Sequence, residues 1–106
     1  MCEIKVKIVK LIDLEPQPGI VEGQFLDAWG VLHKVYEKTP IISCENWIDR
    51  FPVDGEIRCN IIKEWIDDNG RKLITVSTAS PDDVETTDGK NEFDLLPQQL
   101  GGAFNE

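Results

Sequence analysis

The sequence predicts an all-β fold, or a mainly β one with a single short helix: a small, partly open barrel of five to six antiparallel strands, SH3-like or OB-like. Three observations carry this expectation. Apolar and polar residues alternate with a period of two along several runs, as half-buried strands require. Turn signals built on Gly, Pro, Asn and Asp separate those runs at roughly eight to fifteen residues, the spacing of small β barrels and sandwiches. One irregular segment breaks the series and is read as a crossover. A chain of 106 residues suits a single core, so we place one β-barrel domain at residues 1–100 and a flexible C-terminal tail at 101–106.

From Glu3 to Leu14, Ile4, Val6, Ile8 and Ile12 fall on even positions with Lys5 and Lys7 between them, which is a strand. Glu15-Pro16-Gln17-Pro18-Gly19 ends it, because proline has no N–H for a ladder. Ile20 to Leu26 forms a second strand and Val31 to Lys38 its hairpin partner. The turn between them, Asp27-Ala28-Trp29-Gly30, places a glycine where a positive φ is needed. The three strands make one meander.

The crossover runs from Thr39 to Gly55. Within it Ser43 is a candidate N-cap for a short helix reaching Arg50, with Trp47, Ile48 and Phe51 on one side. Strand character returns with Ile57, Cys59 and Ile61 alternating with Arg58 and Asn60. It continues through Trp65 to Asp67-Asp68-Asn69-Gly70 and comes back as Leu73 to Thr78. Asn-Gly between two such runs signals a hairpin. A calcium loop would need oxygen ligands alternating over about twelve residues and a terminal Glu, whereas Leu73, Ile74 and Val76 occupy those places, so the acids here are read as turn residues. Ser80 to Asn91 is polar and turn-rich, Glu92 to Leu95 makes a last short strand, and Pro97 closes it.

Twenty acidic against eleven basic residues give a net charge of −9. Nucleic acid and anionic membranes are therefore disfavoured as partners. The excess is uneven: residues 1–40 carry five bases and six acids, residues 41–106 six bases and fourteen acids. No apolar run reaches the roughly 18 residues of a membrane span and no signal-peptide block follows Met1, so a cytoplasmic location is expected. Cys2, Cys44 and Cys59 are odd in number and lack C-x-x-C spacing, which points to reduced thiols, with Cys59 a small buried hydrophobe beside Ile57 and Ile61.

No catalytic motif is present. His33 is the single histidine, and nothing in the spacing brings it to Cys44. No catalytic residue, metal or cofactor is assigned, and the chain is read as a non-enzyme. Two features suggest a binding surface instead. Asp82, Asp83, Glu85 and Asp88 lie in a stretch, Asp82 to Asp94, with six acids and one base, Lys90, able to steer a basic protein partner. Trp29 and Trp65 sit near turn acids, Trp65 beside Asp67 and Asp68. Tryptophan is enriched at binding hot spots, while Trp47 is assigned to the core.

This single acidic domain, with Asp67, Asp68, Asp82, Asp83, Glu85 and Asp88 on turns and Trp29 and Trp65 beside them, resembles the small immunity proteins of bacterial toxin systems. The likeness is one of composition. It implies a non-enzymatic module that neutralises a basic toxin or nuclease. Two other readings are a small-molecule-binding β-barrel and a structural or assembly subunit whose strand edges pair with copies of itself.

Overall fold

The computed structural model describes residues 2–15, 19–42 and 50–102. Among the described residues seven strands are formed: β1 (Cys2–Asp13), β2 (Ile20–Leu26), β3 (Leu32–Lys38), β4 (Val53–Ile66), β5 (Lys72–Ser77), β6 (Glu92–Leu95) and β7 (Leu100–Gly102). A single helical turn, α1 (Thr39–Ile42), follows β3, and a 3-10 turn at Pro97–Gln99 precedes β7. The strand order is β3-β2-β1-β4-β5-β6, with β7 also pairing β1, and each pairing is antiparallel. Two meanders, β3-β2-β1 and β4-β5-β6, are thus joined through the centre of the sheet.

The long strand β1 makes this junction possible. Its first half, Cys2 to Ile8, lies against Cys59 to Val53 of β4, while Lys7 to Asp13 pairs with β2 and Cys2 to Ile4 with β7. Ile4, Val6 and Ile8 are buried and Lys5 and Lys7 exposed, as the period-two reading requires. Ile12 departs from it. Two register shifts in the β1–β2 pairing, after Ile8 and after Leu11, break the alternation, and Ile12 is exposed. A different cause, the end of the pairing with β1, overturns the expected burial of Ile61. A register shift between Ile61 and Lys63 interrupts β4, β1 supplies no partner beyond Cys59, and Ile61 faces solvent while Ile57 and Cys59 are fully buried.

The sheet curls into a half-barrel whose two edge strands are tied to opposite turns. At one edge, the Ala28 N–H donates to the Asp94 carbonyl of β6 (2.8 Å); at the other, the Thr87 N–H donates to the Lys34 carbonyl of β3 (2.9 Å). Inside lie Ile4, Val6 and Ile8 with Val21, Val35, Ile57, Ile74, Val76, Leu95 and Leu100, each fully buried branched side chain adding about 1.5–3 kcal/mol. Ile42 of α1 plugs this core, and β4 accommodates it at Gly55: a Cβ there would lie 2.4 Å from the Ile42 carbonyl oxygen and 2.7 Å from Ile8 Cδ1.

Two expectations about the connections need correction or fall outside the described residues. The helix read at Ser43–Arg50 lies largely in residues 43–49, outside them, as do Cys44 and Trp47; the helical turn that is described sits earlier, at Thr39–Ile42. The flexible tail does not begin at residue 101. Gly101 and Gly102 extend β7 against Glu3 and Cys2, because the Pro97–Gln99 turn redirects the chain onto the free half-edge of β1. Gln99 holds that turn in place: its Nε2 donates to the Leu26 carbonyl (2.9 Å) and its Oε1 accepts from the Leu96 N–H (2.7 Å).

Candidate functional site

Three five-residue turns, D-A-W-G-V at 27–31, D-D-N-G-R at 67–71 and T-T-D-G-K at 86–90, share one construction. In each, the first residue's N–H donates to the fifth residue's carbonyl, at 3.0, 3.0 and 2.8 Å, and the glycine N–H donates back to the first residue's carbonyl. Gly30, Gly70 and Gly89 have φ of 78°, 80° and 84°, the left-handed conformation that glycine tolerates best. The first side chain caps the turn from inside: Asp27 Oδ1 accepts from the N–H of Trp29 (2.8 Å) and Val31 (3.0 Å), Asp67 Oδ1 from Asn69 (2.9 Å) and Arg71 (2.8 Å), and Thr86 Oγ1 from Lys90 (2.9 Å).

Asp67 therefore serves the hairpin itself. Its second oxygen accepts from Arg71 Nε at 2.9 Å. The backbone N–H of Arg71 foremost, with the Arg71 guanidinium and the Asn69 N–H, holds its carboxyl below the usual aspartate range against the opposing effect of desolvation. Among the described residues no group of three His, Cys, Asp or Glu side chains is placed to hold a metal ion.

The first two turns meet in space. Arg71 lies over the Trp29 ring, 5.3 Å from its centroid, and donates from Nη1 to the Ala28 carbonyl at 3.3 Å. Trp29 Nε1 donates to Asp94 Oδ2 (3.2 Å), Thr75 Oγ1 donates to Asp94 Oδ1 (2.6 Å), and Trp65 Nε1 donates to Thr75 Oγ1 (3.0 Å). Both indoles thus converge on one Thr–Asp pair that links β5 and β6. Trp65 pairs in register with Leu73, which is completely buried, and Lys63 lies 5.4 Å from the Trp65 ring centroid. Trp65 is partly buried, whereas Trp29 is 50% exposed.

Behind Trp29 the chain carries a buried polar pair. His33 Nε2 and Asp27 Oδ2 are 2.8 Å apart, both side chains less than a tenth exposed, and the imidazole packs against Phe25 and Phe93 with centroids 5.2 and 4.9 Å away. Burial pushes the Asp27 carboxyl up, but the hydrogen bonds from His33, Val31 and Trp29 outweigh it and hold the group below its ordinary 3.8.

The acidic strip is a separate group, and it is less free than its sequence suggests. Asp82 is clamped by Arg58, with Nε to Oδ2 at 3.0 Å and Nη2 to Oδ1 at 2.6 Å, a two-point geometry that only arginine provides. Asp88 accepts from the Thr86 hydroxyl, and chiefly for that reason its carboxyl lies below the usual range. Asp83, at φ 53°, and Glu85 are exposed. Burial, with Asp82 and Asp83 nearby, pushes the Glu37 carboxyl up, so the strip extends onto β3. Of the eight expected site residues, the structure brings together Trp29, Trp65 and Asp67; it leaves Asp68, Asp83, Glu85 and Asp88 exposed and turns Asp67 and Asp82 inward.

Sequence reasoning did not find Asp94, Thr75 and Arg71 as members of the tryptophan face. Arg71 had a signal, the D-x-x-G-R spacing that puts it opposite Asp67. Asp94 and Thr75 had none, since only the β5–β6 register, Thr75 against Asp94, makes them neighbours. Compared with family models, with curated proteins and with solved structures, the chain gives no significant match.

Proposed function

We propose that this protein is a non-enzymatic binding module that docks a basic partner protein through the face centred on Trp29, of the kind by which immunity proteins cap a basic toxin or nuclease. The supporting observation is Trp29 itself. A large aromatic is half exposed and yet held by the Asp94 carboxylate, the Arg71 guanidinium and the Asp27 turn. A ring so constrained loses little conformational entropy on binding and brings a large contact area. The exposed Asp68, Asp83 and Glu85, on a chain of net charge −9, supply the field that draws in a positive partner.

The test is capture from host lysate with the wild type beside Trp29→Ala and an Asp68→Asn/Asp83→Asn/Glu85→Gln variant, followed by titration of the purified captured protein. The expected partner is basic, binds Trp29→Ala at least roughly 30-fold more weakly, and associates about tenfold more slowly with the charge variant, with a flatter salt dependence. A captured protein indifferent to both variants, or one of acidic charge, removes this reading.

A second reading has one observation in its favour. A groove of about 480 Å³ opens beside β1 and β2, with the exposed Leu26 and Leu32 on its wall and Lys5 and Lys7 at its rim. A small acidic amphiphile matches that chemistry. Lys7 is already paired with Asp54 at 2.5 Å, which leaves less positive charge for such a ligand and ranks this reading second. Native mass spectra of purified protein that carry no bound small molecule would dismiss it.

A further inference from the structure

The sequence pointed to three separate reduced thiols, but the β1–β4 register sets Cys2 directly opposite Cys59. Their Sγ atoms are 2.7 Å apart, and both residues are almost wholly buried. That separation lies between an S–S bond of about 2.05 Å and the contact distance of unbonded sulfurs. The pair occupies the centre of the sheet, where β1 meets β4 on one edge and β7 on the other. We propose that Cys2 and Cys59 are a redox pair that closes to an intramolecular disulfide by exchange with a low-molecular-weight disulfide, cross-linking β1 to β4.

The chemistry balances without any group on the protein beyond the two thiols. The Cys2 thiolate attacks one sulfur of the reagent and releases its first thiol, leaving a mixed disulfide on Cys2. Cys59 then attacks the Cys2 sulfur, forms the S–S bond and expels the second reagent thiol, which takes the Cys59 proton. Two protein S–H bonds are lost and one S–S bond is made. The protein is oxidised by two electrons and the reagent reduced by two. Burial, followed by the hydrogen bond that the Cys59 thiol shares with the Cys2 sulfur, pushes the Cys59 thiol well up, which suits it to the second, resolving step and leaves the first to Cys2. Reagent reaches Cys2 when the three-residue β7 and the paired end of β1 open, the kind of local unfolding that short edge pairings undergo.

The cross-link would close a loop between residues 57 positions apart, long enough for a large restriction of the unfolded chain. Incubation of the full chain and of Cys44→Ser with oxidised glutathione, followed by intact mass, non-reducing peptide mapping and thermal unfolding, tests this. Both proteins are expected to lose two hydrogens, to yield a Cys2–Cys59 linked peptide, and to gain roughly 10 °C or more in Tm, all reversed by dithiothreitol. Cys2→Ala should form no linked peptide and gain nothing in Tm. Thiols that remain fully alkylatable under denaturant after oxidation, glutathione left stably on Cys2, or a link through Cys44 would each overturn the proposal; the mapping needs no core variant, so misfolding of Cys2→Ala cannot decide it.

Discussion

The turns at Asp27–Val31 and Asp67–Arg71 have the same backbone and the same capping oxygen, yet they sit in opposite surroundings. The first is pressed onto β6, with Asp27 and Ala28 buried and the second Asp27 oxygen against His33 inside the aromatic cluster. The second stands at the tip of the β4–β5 hairpin, with Asp68, Asn69 and Gly70 all exposed and the second Asp67 oxygen on a half-exposed Arg71. Local chemistry made the turns alike. Tertiary packing made one a structural joint and the other a surface feature, and the energetic consequences follow burial.

The strongest way to break this comparison is Asp27→Ala against Asp67→Ala. Loss of Asp27 leaves a buried imidazole and two N–H groups without their acceptor, and should cost about 2–4 kcal/mol in urea unfolding. The Asp67 carboxylate is as screened as that of Asp27, but the groups that Asp67→Ala orphans belong to the exposed Asn69 and the partly exposed Arg71, which water reaches, so the loss should be smaller. Equal losses would mean that burial does not distinguish the turns.

Gly30→Ala and Gly70→Ala sharpen the other half. Both glycines have positive φ and nothing within 4 Å of an added Cβ, so each substitution should cost about 1 kcal/mol by backbone strain alone. A clear inequality between the two would show that the shared backbone conceals a packing difference.

Acid brings out the carboxylates. The folded Asp27 value lies below 3.8, so its contribution is fully present above the unfolded value and is lost as pH falls through the folded one. Asp67 shifts in the same direction. Urea midpoints followed below pH 5 should therefore fall less steeply in Asp27→Asn than in the wild type, and Asp67→Asn should show a smaller change of the same sign. A wild-type acid limb retained in Asp27→Asn would refute the assignment.

The smallest effect on stability is expected where the functional effect is largest. Trp29→Ala removes an exposed cation–π contact and one long hydrogen bond, and should cost below about 1 kcal/mol. A loss comparable to that of Asp27→Ala would assign Trp29 to the fold and withdraw it as an anchor.

The strands were legible because their side chains obey a period of two wherever a single face is buried. β1 is close to where alternation places it, β2, β3 and β5 are close to where apolar and β-branched runs between turn signals place them, and the Asp67 turn is the hairpin that Asn69-Gly70 announces. Legibility failed where pairings shift or end. One extra residue in a pairing reverses the faces beyond it, which exposes Ile12, and Ile61 is exposed because the pairing with β1 ends at Cys59. The site was half legible: Trp29 and Trp65 stand out as residues, but no spacing in the chain says that both indoles reach Asp94 and Thr75, or that Asp82 belongs to Arg58.

The amino-acid sequence by itself determined what depends on near neighbours: the alternation of the strands, the three glycine turns with their capping oxygens, and the sign of the charge. Only the tertiary structure decided which of those turns is buried, which acids are spent on internal partners, and that Cys2 faces Cys59. The physical reason is that these properties belong to pairs of residues distant in the chain, and they come into being when a curled sheet sets β1 against β4 and folds the β2–β3 turn onto β6.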